Sequence, residues 1–126
     1  PSNFVRMQIL SWGVLQEIKQ VVKGYFTDDE ATKRRMAEVH EKTGYIMCPH
    51  TAVGYDGLLQ YKKECGDAVT GVVLSTAHYA KFLPTVEAVI GGKVPVPLRL
   101  SELLDKQKKS ILLGTDFEGF KKFLLG

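Results

Sequence analysis

The chain has 126 residues, of which 44% are hydrophobic and 25% charged, and its formal net charge is +3. This composition is typical of one globular domain with a modest core, and it excludes collagen-like and disordered chains. Seventeen basic against 14 acidic residues give no strong basic excess and no apolar run approaches the roughly 20 residues that span a bilayer, so we predict neither a nucleic-acid nor a membrane partner.

The cysteines indicate a reduced environment. Cys48 and Cys65 show no Cys-x-x-Cys spacing and no signal-peptide pattern precedes them, so we predict no disulfide framework, no metal site and a cytoplasmic location. The chain starts at Pro1, and the residues that follow are already typical of a helix start. We therefore expect a piece of a longer protein.

The first predicted element is a single helix that ends at Gly24. Ser2 and Asn3 are good caps for its start. Apolar residues then recur at the three- and four-residue spacing of one buried helical face, and these are Phe4, Met7, Leu10, Val14, Ile18 and Val21.

A second helix is predicted from a capping box at Thr27–Glu30, in which the Thr hydroxyl caps the first turn. It runs to Lys42, with Gly44 just past its end. The apolar run Tyr45–Cys48 stops at Pro49 and is too short for a helix, so we predict a brief strand.

Thr51 is predicted to cap a third helix, which carries Leu58, Leu59 and Tyr61. The β-branched run Thr70–Ser75 predicts a core strand that is buried on both faces.

The C-terminal third also alternates between predicted helices and extended segments. We predict a helix from Ala80 to Ile90, an extended segment over Val94–Pro97 and a short charged helix from Ser101. A last strand at Ile111–Leu113 and a terminal helix opened by a capping box at 115–118 follow. Helices alternating with two or three short strands predict a helix-rich α/β fold.

Two segments share one pattern, residues 48–54 and residues 75–82. Each has an apolar strand, a turn of small residues with His and Thr, and then a helix. Ligands bind at the carboxyl ends of strands in open α/β sheets, and helix N-termini there present free N–H groups. We therefore predict that both turns line one cleft.

Structural roles are the alternatives for the residues of these turns. His50 and His78 also suit structural hydrogen bonding, and Thr51 and Thr76 also suit helix capping. Lys81 is a candidate for an imine-forming lysine, whereas a solvated lysine explains it equally simply.

The strings Pro1–Phe4 with Arg6, Pro49–Gly54, and Ser75–His78 with Ala80–Phe82 occur in this order and at similar spacing in one family. On these residues the chain resembles the threonine synthase family, and the resemblance spans essentially the whole sequence. That family has the tryptophan-synthase-β-like fold, fold type II of the pyridoxal-phosphate (PLP) enzymes.

The resemblance implies that residues 1–126 are a C-terminal fragment of the large catalytic region. In the family the aldimine lysine, the asparagine near the pyridoxal hydroxyl and the glycine-rich phosphate loop all lie upstream, so the fragment holds no catalytic residue and is expected to be inactive alone. The family reaction converts O-phospho-L-homoserine and water into L-threonine and phosphate. The expected partners are this substrate and the missing N-terminal part of the same protein.

By resemblance, the hydroxyl of Thr76 meets the pyridine nitrogen of PLP, and Ser75 and Ala77 bind the cofactor beside it. Further residues are expected to form the active-site wall or to reach the substrate, and these are His50, Thr51, His78, Ser2, Asn3 and Arg6.

The chain departs from the family pattern twice. Cys48 replaces a residue that is commonly acidic, and Tyr79 replaces a proline, which should loosen the turn. Two alternatives to threonine synthase stay open, a related phospho-lyase that acts on another phosphorylated substrate, and a cofactor-free interaction or structural domain that folds alone.

Overall fold

The computed structural model describes residues 4–66 and 68–126, which form seven α-helices and one 3₁₀ helix. The helices are α1 (Phe4–Leu10), α2 (Leu15–Val21), α3 (Asp29–Thr43), α4 (Pro49–Cys65), the 3₁₀ helix Tyr79–Phe82, α5 (Leu83–Ile90), α6 (Leu98–Leu104) and α7 (Phe117–Leu125). They belong to two units, of which the first ends at Pro95 and the second begins at Val96.

The predicted α/β class is wrong, because the described part of the chain contains no β-strand. The segments 45–48, 70–75 and 111–113, which we predicted as strands, are non-helical chain without a ladder partner. A strand forms only where a second strand exchanges backbone hydrogen bonds with it, and the described residues supply none. The side chain of Leu112 is 99% exposed, so burial does not compensate for the missing partner there.

The predicted single helix up to Gly24 is two helices, α1 and α2. The chain turns between them at Trp12 and Gly13, which have φ values of 52° and 74°. No residue of α1 or α2 is buried, and the predicted apolar stripe is exposed except at Met7 and Ile18, which are half-buried. Periodicity identifies residues that share a helix face, but it does not show what covers that face.

Helix α3 confirms the predicted second helix, with the cap one residue later. The Asp28 carboxylate, not the Thr27 hydroxyl, accepts a hydrogen bond from the Ala31 N–H at 2.7 Å. Gly44 ends the helix with a φ of 73°, the left-handed conformation that glycine adopts without strain.

The later helices follow the predicted order with shifted starts. The predicted helix over 80–90 is the 3₁₀ helix followed by α5, and 94–97 is non-helical as expected. The predicted short helix is α6 and begins at Leu98 rather than Ser101. At the start of α7, Asp116 again caps in place of the preceding threonine.

The core of the first unit lies among α3, α4, α5 and the chain segments beside them. Its buried cluster consists of Met36, Met47, Ala52, Val86 and Val94. In the ranges 4–66 and 68–126, no helix has both the length and the apolar character that a membrane span needs.

Candidate functional site

The extended segment 70–75 lies along one face of α4. A Cβ built on Gly71 would lie 2.4 Å from Cδ2 of Leu58, and a Cβ built on Gly54 would lie 3.5 Å from Cγ1 of Val73. These two glycines therefore let the segment and the helix approach closely.

A third contact joins the same two elements by side-chain hydroxyls. Thr51 Oγ1 lies 3.1 Å from Ser75 Oγ. The three contacts fall two residues apart on the segment and three or four apart on α4, which are the periods of an extended chain and of a helix. Val72 and Leu74 alternate with the contacting residues and are 79% and 78% exposed, the opposite of the predicted strand buried on both faces.

Thr51 is a buried hydroxyl in the first turn of α4. Its Oγ1 also lies 3.2 Å from the Sγ of Cys48, which is buried at the N-cap position and makes no side-chain capping bond. Helix α4 begins at Pro49, so residues 49–54 form helix rather than the predicted turn, and Thr51 is not the cap. The two predicted turns nevertheless come together, because the side-chain hydroxyls of Thr51 and Ser75 are in contact.

Ser75 and Thr76 place two hydroxyl groups at the exposed end of the extended segment, and Ala77 is half-buried beside them. Ser75 is held by Thr51, whereas Thr76 follows on the alternate position of the segment. The side chains of this group are uncharged. A role of these residues in binding a cofactor stays a prediction.

Both histidines of the predicted wall contact the 3₁₀ helix, His78 at its start and His50 at its last residue. The Nδ1 of His78 accepts a hydrogen bond from the Ala80 N–H at 3.1 Å and caps the 3₁₀ helix, which is a structural role. The ring of His50 packs against Phe82 with centroids 5.0 Å apart. The N-terminal turn of α4 and the 3₁₀ helix are thereby neighbours.

The N-terminal candidates are not brought to this group by any contact of the described residues. Arg6 is exposed on α1, and no hydrogen bond or ion pair links it to Thr51 or Ser75. Ser2 and Asn3 lie outside the described residues.

Tyr79 makes a contact that sequence reasoning missed. Its hydroxyl donates to the carbonyl oxygen of Pro95 at 2.7 Å, and its ring lies 4.2 Å from that of His78. We expected a looser turn from the loss of proline alone. The tyrosine hydroxyl, however, adds a hydrogen bond that proline cannot make. The tyrosine side chain itself was the available signal, since its hydroxyl is a hydrogen-bond donor that proline lacks.

A charged network fixes α4 against α3. Asp56 accepts hydrogen bonds from Arg35 at 2.7 and 3.0 Å, and from Thr27 and Gln60 at 3.0 Å each. The Arg35 guanidinium holds the pKa of Asp56 below its ordinary value. The network supports the helix whose first turn carries Thr51.

The comparisons with known proteins agree with one another. The family model described as "Threonine synthase, C-terminal" matches residues 51–124. Threonine synthase of Escherichia coli is 34% identical over 126 residues, covering 99% of this chain and 28% of the relative. Threonine synthase of Serratia marcescens is 33% identical, with 100% and 28% covered.

A solved structure gives the same result. The crystal structure of threonine synthase from Escherichia coli superposes with a TM-score of 0.69 at 32% sequence identity, covering 91% of this chain and 28% of that one. The chain thus spans about 28% of the length of these relatives. Since the family model covers more than half of the sequence, the chain belongs to the threonine synthase family and carries its C-terminal region.

Proposed function

We propose that this chain is the C-terminal part of a threonine synthase that converts O-phospho-L-homoserine and water into L-threonine and phosphate with PLP. The observation that carries the proposal is the likeness to threonine synthases along 99% of the chain, at 34% identity to the Escherichia coli enzyme.

Exposed apolar side chains support a larger parent protein. Trp12, Val72 and Leu112 are 90%, 79% and 99% exposed. Contiguous exposed apolar surface is typical of an interface with another protein part, and we propose that upstream polypeptide covers these side chains.

The hydroxyl groups at the end of segment 70–75 fit one wall of a PLP site. An unprotonated pyridine nitrogen accepts a hydrogen bond, and Thr76 presents an exposed O–H that can donate it. When bound, PLP draws electrons from the bonds of the substrate carbon that it carries. Thr76 holds the ring in place without adding a charge, while Ser75 and Ala77 form the surface beside it.

The remaining candidates have distinct roles in this proposal. His50 lies at the N-terminal turn of α4 and closes the wall, while the buried Thr51 supports the wall from behind through Ser75. The Nδ1 of His78 is already bonded to the Ala80 N–H, so Nε2 is its available nitrogen. Arg6 supplies a positive charge for the substrate phosphate, and Ser2 and Asn3 supply uncharged polar groups beside it. The lysine that carries the cofactor lies in the upstream part.

The first test uses intact mass after treatment with PLP and borohydride, which fixes a lysine imine covalently. We expect no stoichiometric adduct on this chain and one adduct on the complete protein. An adduct on the 126-residue chain would place the cofactor lysine here, with Lys81 the first candidate, and would overturn the fragment assignment.

The second test measures phosphate release and product identity for the complete protein. We expect O-phospho-L-homoserine to give equal amounts of phosphate and threonine. Release of phosphate only from other phosphorylated amino acids would identify a different phospho-lyase, and no release with no PLP binding would favour a cofactor-free domain.

A further inference from the structure

Thr51 lies one contact behind the residues that would face the cofactor. Its hydroxyl is buried, so a ligand at the exposed end of segment 70–75 does not reach it directly. The neighbouring hydroxyl of Ser75 lies 3.1 Å away, and Thr76 is the next residue along the chain.

We propose that Thr51 is a positioning residue for Thr76 and acts through Ser75. This inference rests on the proposed function, in which Thr76 meets the ring nitrogen of PLP. The Thr51–Ser75 hydrogen bond fixes which face of the segment turns toward α4, and thereby leaves the Thr76 hydroxyl free on the other face.

The register of segment 70–75 against α4 decides which hydroxyl group faces outward. The segment contacts α4 through Gly71, Val73 and Ser75. A slip by one residue would turn every side chain of an extended segment to the opposite face. Thr76 would then lie toward Thr51, and Ser75 would point outward in its place.

Gly71 and Ser75 select between these two registers at the two ends of the segment. A Cβ at position 71 would force the Leu58 side chain to shift, which favours Gly71 at that position. At the other end, Thr51 offers the buried hydrogen-bond partner that Ser75 uses.

Cys48 gives the Thr51 hydroxyl a second partner. Its Sγ lies 3.2 Å from Thr51 Oγ1, and Ser75 Oγ lies 3.1 Å from the same oxygen. Either member of each pair can donate, because a hydroxyl group both donates and accepts. These two contacts restrict the orientation of the Thr51 side chain.

The test measures binding of PLP to the complete protein through the absorbance and fluorescence of the bound cofactor. The variants are Thr51→Val, which keeps the shape and removes the hydroxyl, Thr51→Ser, which restores it, and Ser75→Ala. Thr85→Val is the matched control, since Thr85 is an exposed threonine of α5. Thr76→Val supplies the spectrum of a protein without the direct contact.

We expect Thr51→Val and Ser75→Ala each to raise the Kd for PLP about three- to tenfold, the effect of one lost hydrogen bond. Both should shift the cofactor spectrum toward that of Thr76→Val. The double variant should bind no more weakly than either single variant, because both changes remove one contact. Thr51→Ser should recover binding to within about twofold, and Thr85→Val should match the unmodified protein.

The two levels of the proposal fail in different ways. Unchanged binding and spectra in Thr51→Val, or additive losses in the double variant, would overturn the positioning role while the proposed function stands. An unmodified protein that binds no PLP would overturn both. If Thr51→Val does not fold, the test rests on Ser75→Ala, which changes an exposed residue. A cofactor spectrum of Ser75→Ala unlike that of Thr76→Val would then overturn the proposal.

Discussion

Gly71 packs against Leu58 so closely that a Cβ on Gly71 would lie 2.4 Å from Cδ2 and 2.9 Å from Cγ of Leu58. This contact brings the extended segment against α4 four residues before Ser75. Because any side chain at position 71 would displace Leu58, Gly71 contributes to the placement of the hydroxyl groups at the other end of the segment.

Gly71→Ala is expected to destabilise the chain by about 1–3 kcal/mol, the cost of forcing extra volume into a packed contact. Urea unfolding followed by circular dichroism at low protein concentration measures this. Gly92→Ala is the control, because nothing lies within 4 Å of a Cβ there. In a Leu58→Ala background, Gly71→Ala should lower the free energy of unfolding by less than it does alone. A Gly71→Ala variant as stable as Gly92→Ala would contradict the close contact.

Asp56→Asn is expected to lower the free energy of unfolding by about 1–3 kcal/mol near neutral pH, since Asp56 accepts charge-assisted hydrogen bonds from Arg35. The pKa of Asp56 is lowered in the folded chain, first by these hydrogen bonds. Its contribution is therefore complete above the unfolded pKa of about 3.9 and is lost as the pH falls through the lower folded value.

The same urea experiment, repeated from neutral to acidic pH, should show the difference between Asp56→Asn and the unmodified chain shrinking below about pH 4. Glu30→Gln is the matched control, because Glu30 pairs with Lys33 at an exposed position of α3. A pH-independent difference for Asp56→Asn would assign its effect to packing instead of charge.

Asp28→Ala is expected to destabilise α3 by about 1 kcal/mol, because the Asp28 carboxylate accepts the Ala31 N–H at the helix start. Asp29→Ala, one residue later, removes a similar charge without removing the cap and should cost less. Urea midpoints distinguish the two. Equal losses would show that charge near the helix dipole, and not the capping bond, stabilises this end.

The isolated chain is expected to self-associate through its exposed apolar side chains. Sedimentation velocity over a range of concentrations should show a rising mean mass. Val72→Lys with Leu74→Lys should reduce association, since both side chains point away from α4 and are largely exposed. Thr85→Lys adds the same kind of charge elsewhere and should have little effect, and a monomer at every concentration would contradict the prediction.

Local signals predicted the helices of the first unit well where they involved caps and breakers. Gly44 and Gly91 end α3 and α5 as expected, and both have positive φ values. The cap of α3 is Asp28 and not the predicted Thr27, because a carboxylate accepts the first-turn N–H groups more strongly than a hydroxyl does. Such a choice between adjacent residues depends on the backbone angles at the helix start.

The candidate site was predictable in part. The residue strings around Thr51 and Ser75 were visible in the sequence, and the structure places these two side chains in contact. The involvement of Cys48 and the bond from Tyr79 to Pro95 were not, because both depend on which atoms meet after packing. The assignment of Thr76 to the cofactor stays a prediction.

The sequence by itself determined the helix ends at Gly44 and Gly91 and the family, since these depend on residue identity and spacing alone. Tertiary structure decided which apolar segments found partners. The run 70–75 has the composition of a core strand, yet in the described chain it packs by alternate residues on α4 and leaves Val72 and Leu74 exposed. A strand needs hydrogen-bonding neighbours that no local pattern can supply, so its environment depends on the polypeptide around it.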